Sequence, residues 1–87
     1  MSEVFRLREE VLVRIEEPEG AIIFYPAKDK LMILNWMGAI YVKLLLHGAT
    51  CKDLISEIQQ HCEVKDEDEV EKDIQDFIAK LIKNQFI

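Results

Sequence analysis

His47, Cys51, His61 and Cys62 are the side chains of this sequence with the chemistry to hold a transition metal or to attack a carbonyl. Their spacing supports neither role. Structural zinc sites draw on closely spaced cysteine pairs, and the chain contains no CxxC. His61 and Cys62 are sequence neighbours, which on a helix point about 100° apart and do not share an ion readily. No acid stands at a recognisable distance to orient a histidine as base for either thiol. The glycines, Gly20, Gly38 and Gly48, form no phosphate-cradling loop. These residues read as buried thiols and surface histidines. The sequence therefore implies no catalytic residue, no metal and no cofactor.

The elements that must position any functional surface follow from periodicity. Val11, Val13 and Ile15 alternate with Leu12, Arg14 and Glu16, the pattern of a half-buried strand, and Glu17-Pro18-Glu19-Gly20 reads as the turn that ends it. Ala21 to Tyr25 and Leu31 to Leu34 predict two further strands, joined through Pro26 and the polar Lys28-Asp29-Lys30 connection as a hairpin. Both of these later strands are apolar on both faces. A small three-stranded antiparallel sheet has helices on one face only, so that excess points to a binding surface.

From Asn35 the period becomes helical. Met37, Ile40, Tyr41, Leu44 and Leu45 form a stripe, with Asn35 as N-cap, Gly48 as stop and Trp36 as a core anchor in the first turn. Thr50 caps a second helix with Asp53 three residues on, a relative of the capping box. Cys51, Leu54, Ile55, Ile58 and Cys62 make its apolar side. On one helix, Cys51 and Cys62 stand roughly 16 Å apart, too far for a disulfide. Acidic residues from Asp66 to Glu71 favour a third helix start, and Val70, Ile74, Phe77, Ile78, Leu81 and Ile82 span an arc of about 140°, wider than seating on a core requires. The apolar tail at Phe86 and Ile87 is expected to tuck against the body.

The bulk numbers set limits. Eighty-seven residues, 49% hydrophobic and 32% charged, describe a folded chain read as a single domain over 1–87, too small to spare much for a self-contained catalytic pocket. The formal net charge of −6 opposes a phosphate backbone, which excludes nucleic acid as the expected partner. No signal-peptide core and no membrane-spanning run is present, so the expected location is cytoplasmic, with no membrane partner. The fold class expected is α+β, winged-helix-like, a three-stranded antiparallel sheet followed by three helices.

The run Arg14-Ile15-Glu16-Glu17, the segment Leu31 to Gly38 ending Leu-Asn-Trp-Met-Gly, the stretch Leu44 to Leu54 around His47-Gly48-Ala49-Thr50, and Asp73-Ile74 followed by Phe77, Leu81 and Ile87 together resemble the PqqD-like family. The resemblance covers about Arg8 to Ile87. It implies a RiPP recognition element, a non-enzymatic carrier that binds the leader region of a ribosomally synthesised precursor peptide. Such a carrier presents the leader to a modifying enzyme, frequently a radical SAM protein. It also implies that the leader adds as a β-strand beside the third strand and packs against the third helix. Carried onto this chain, those positions are Leu31, Met32, Ile33 and Leu34 on the strand, with Asp73, Ile74, Phe77, Ile78 and Leu81 on the helix. Two alternatives come from other classes: a winged-helix DNA-binding regulator, for which the second helix offers only Lys52 as a cation, and a dimerisation domain pairing through the same apolar edge as a homodimer.

Overall fold

The computed structural model describes residues 3–16, 19–61 and 66–87. Glu17 and Pro18 of the expected turn, and Cys62, lie outside them. Strand β1 is Leu12–Glu16, β2 Gly20–Tyr25 and β3 Lys30–Leu34, with a single 3-10 turn at Pro26–Lys28 between the last two. Helices α1 (Trp36–Leu45), α2 (Cys51–His61) and α3 (Glu67–Lys83) follow. The strands form one antiparallel sheet in the order β1-β2-β3. The expected α+β order is thus the observed one.

The pleat sorts the strand residues into two faces. Ala21, Ile23 and Tyr25 of β2 are buried toward the helices, and Val13, Ile15, Met32 and Leu34 stand beside them on the same side. The other side holds the rows Leu12–Phe24–Leu31 and Arg14–Ile22–Ile33. Leu12, Leu31 and Ile33 are 58%, 60% and 75% exposed, so this side of the sheet is open. The apolar excess of β2 and β3 noted in the sequence lies here.

Helix α1 packs on β2 and β3 through a face that shares Tyr41 and Leu45 with the expected stripe but is turned toward Gly38 and Ala39. Gly38, Ala39, Tyr41, Val42 and Leu45 are its buried residues, whereas Met37, Ile40 and Leu44 are half-buried. The small residues Gly38 and Ala39 let the helix approach the sheet closely, and this rotates the stripe toward them. Trp36, expected as a core anchor, is 42% exposed. It sits roughly 200° round the helix from Gly38 and so faces away from the contact.

Thr50 and Asp53 form a reciprocal cap on α2: Thr50 N–H donates to Asp53 Oδ2 (3.0 Å) and Asp53 N–H to Thr50 Oγ1 (3.1 Å). Asp66 caps α3 by accepting from the N–H groups of Asp68 and Glu69. Leu54 and Ile58 of α2 meet Ile74, Ile78 and Leu81 of α3 in the core, which Phe86 of the tail closes at 1% exposure. The N-terminal segment, to which the sequence assigned no element, is tied into this body. Phe5 and Ala49 exchange backbone hydrogen bonds of 2.8 and 2.9 Å, Leu7 N–H donates to Leu45 O, and Arg8 N–H to Phe86 O.

Candidate functional site

Leu34 ends β3 and the next residue begins α1, so strand and helix share a corner. Asn35 makes it sharp by accepting a hydrogen bond from Gly38 N–H at 3.0 Å. Two glycines then confine Leu34. A Cβ on Gly38 would stand 2.8 Å from Leu34 Cβ, and one on Gly20 would stand 1.9 Å from the Leu34 carbonyl oxygen. Any side chain at either position would push the end of β3 outward. The strand's position relative to β2 and α1 is thereby fixed.

Helix α3 passes this corner and leaves a groove of about 330 Å³. Ile33 and Leu34 supply the strand wall, Asn35, Met37, Gly38 and Tyr41 the floor from α1, and Asp73 and Phe77 the opposite wall. The rings of Tyr41 and Phe77 are 5.6 Å apart and tilted by 47°, an aromatic contact that ties α1 to α3 across the groove. Asp73 supplies the acidic side chain of this lining. Along the groove runs the outer edge of β3, which pairs with β2 on its inner side and with no strand on its outer side among the described residues. An edge of this kind presents unpaired N–H and C=O groups at regular spacing.

Of the nine expected binding residues, Ile33, Leu34, Asp73 and Phe77 line the groove. Leu31 and Met32 continue the same strand beyond it, exposed and half-buried respectively. Ile74, Ile78 and Leu81 do not belong to a ligand-facing surface: they are 0%, 3% and 0% exposed and pack in the core. The apolar stripe of α3 is broad because it serves two neighbours, and these three residues serve the interior one. Met37 and Tyr41 were missed as lining residues. Their signal was present in the Asn35 cap, since a helix that starts at the end of an edge strand carries its first two turns beside that edge.

A larger hollow of about 500 Å³ lies between the N-terminal segment, α2 and α3, lined by residues including Phe5, Cys51, Ile55 and Glu71. Its lining includes no residue of β1, β2 or β3. Burial raises the pKa of the Cys51 thiol, and the carboxylates of Glu71 and Glu3 raise it further. The group is held as a neutral thiol, the form that is neither nucleophile nor metal ligand. Among the described residues, no three His, Cys, Asp or Glu side chains converge as a metal site. Cys62, and with it the expected separation from Cys51, lies outside the described residues.

The sequence matches the family model of coenzyme PQQ synthesis protein D (PqqD) over residues 20–87. The chain belongs to the PqqD family. The PqqD match begins at the first residue of β2 and includes β3, all three helices and the whole groove. Compared with curated proteins, the sequence has no significant match. A solved structure described as "TbiB1 in Complex with the TbiA(beta) Leader Peptide" superposes with a TM-score of 0.82 over 94% of this chain and 93% of that one, at 18% identity. At that identity the likeness to TbiB1 is one of fold. It extends beyond the PqqD match to most of the remaining chain, β1 and the N-terminal segment being the parts before residue 20.

Proposed function

We propose that this chain is a RiPP recognition element, a carrier that binds the leader region of a ribosomally synthesised precursor peptide and presents it to a separate modifying enzyme of the radical SAM class. The observation that carries this reading is the free edge of β3 lying directly along a groove walled by Ile33, Leu34, Tyr41 and Phe77. Main-chain pairing along the edge supplies affinity without demanding a sequence, and alternate side chains of the added strand enter the groove and select one. PqqD-family membership and the shared fold with a protein solved bound to a leader peptide support it. In this mode the protein makes and breaks no covalent bond. Its contribution is to order an otherwise disordered peptide and raise its local concentration at the enzyme.

An amide NMR titration with the leader of a precursor encoded beside this chain tests the proposal. Shifts gathered on residues 31–34, 37–41 and 73–77 are the expected result. Shifts confined to α2, or none at saturating peptide, would refute it.

A further inference from the structure

Residues of a strand added to β3 would point alternately to its two sides, one set into the groove and the other over the open side of the sheet. The first set meets Met37, Tyr41 and Phe77. The second set meets Leu31 and Ile33, which are 60% and 75% exposed and stand on the open side in rows with Phe24 and Ile22. Solvent-facing positions of an edge strand are where charged residues are ordinarily placed to discourage pairing. Here both are large and aliphatic. Neither contributes to the buried core, so folding alone does not account for them.

We infer that the open side of the sheet is a second recognition surface for the same peptide, and that the segment bound is apolar on both faces, with consecutive rather than alternating hydrophobic residues. This rests on strand addition at β3. A residue directly opposite Leu31 or Ile33 lies about 5 Å away Cβ to Cβ, close enough for an aliphatic pair to exclude water between the two side chains. Ile33 is placed to act on both sides: it also lines the groove, and with its cross-strand partner Ile22 it borders a shallow hollow whose rim carries Glu16 and Glu19. A peptide apolar on one face only would slip by one residue to turn that face into the groove, leaving polar side chains over Leu31 and Ile33.

Two synthetic peptides test the inference, each with a six-residue centre flanked by identical polar ends. One centre carries consecutive Ile, Leu and Val, and the other alternates these with Thr, which keeps the strand propensity and removes one apolar face. Affinity for the wild-type chain is expected to be about tenfold higher for the first, the product of two cross-strand pairs. In the double variant Leu31→Thr, Ile33→Thr the gap should close to within about twofold, because the apolar partners are gone. Both substitutions are at exposed positions, and amide spectra verify that the fold is kept. Equal affinity of the two peptides for wild type, with shifts on β3 present for both, would overturn the two-faced inference while leaving strand addition standing. A tenfold gap that persists in the double variant would overturn it as well, by locating the preference elsewhere. Absence of β3 shifts with either peptide would overturn strand addition, and this inference with it.

Discussion

Phe77 belongs to both the core and the groove, and this sets what its removal does. The ring is half-buried, touches Tyr41 and forms the α3 wall. Phe77→Ala is expected to weaken leader binding by on the order of 1 to 4 kcal/mol, the range of an aromatic hot spot. It also lowers stability, since the ring packs against buried residues. Phe77→Leu should restore most of the stability and only part of the affinity, a split read by calorimetric titration alongside urea denaturation. Cys51 gives a prediction in pH. Its raised pKa, from burial and then from Glu71 and Glu3, means less thiolate at neutral pH than an ordinary cysteine has. In a Cys62→Ser background, alkylation by iodoacetamide should be slower than for a free thiol peptide, and its pH profile should lie at higher pH. Glu71→Gln should move that profile back toward lower pH, and an unmoved profile would show that the carboxylate exerts no influence on the thiol.

Helix boundaries in this chain are written in its capping residues. The Thr50–Asp53 pair satisfies two backbone donors reciprocally, so Thr50→Ala removes the bond to Asp53 N–H and should cost about 1 kcal/mol. A lower urea midpoint at unchanged slope would be its signature. Caps at Asn35 and Thr50, the acidic start of α3 and the alternation in β1 were legible in the sequence for the same reason: each is a local pattern with a local cause. Ile33, Leu34, Asp73 and Phe77, which line one groove here, were reached through the family resemblance and not through a local pattern. Ile74, Ile78 and Leu81 were misread as ligand-facing. A stripe shows which residues are apolar, but which of two neighbours each one meets depends on the packing of the whole helix. Trp36 was misplaced by a similar step, because Gly38 and Ala39, weak signals in a hydrophobicity pattern, decide which side of α1 approaches the sheet. The pairing of Phe5 with Ala49 joins residues far apart in sequence and left no periodic trace.

At the scale of the molecule, charge is unevenly spread. The acidic residues Glu67, Asp68, Glu69, Glu71, Asp73 and Asp76 all stand exposed on α3, whereas the open side of the sheet carries an Arg14–Glu16 ion pair at 2.6 Å amid aliphatic side chains. With a formal net charge of −6, the protein should not retain double-stranded DNA at near-physiological salt, despite its winged-helix-like element order. A sequence-specific gel shift at submicromolar protein would reverse that expectation. Among the described residues, no helix is long and apolar enough to cross a membrane. The clamp that Gly20 and Gly38 place on Leu34 has a consequence in time as well as in space. Because β3 is paired with β2 in one register, capture is expected to require rearrangement of the peptide alone, without a slow opening step by the protein. Stopped-flow mixing with excess leader should therefore give a single exponential whose rate climbs linearly with peptide concentration, and a plateau would reveal a gate that the clamp was supposed to make unnecessary.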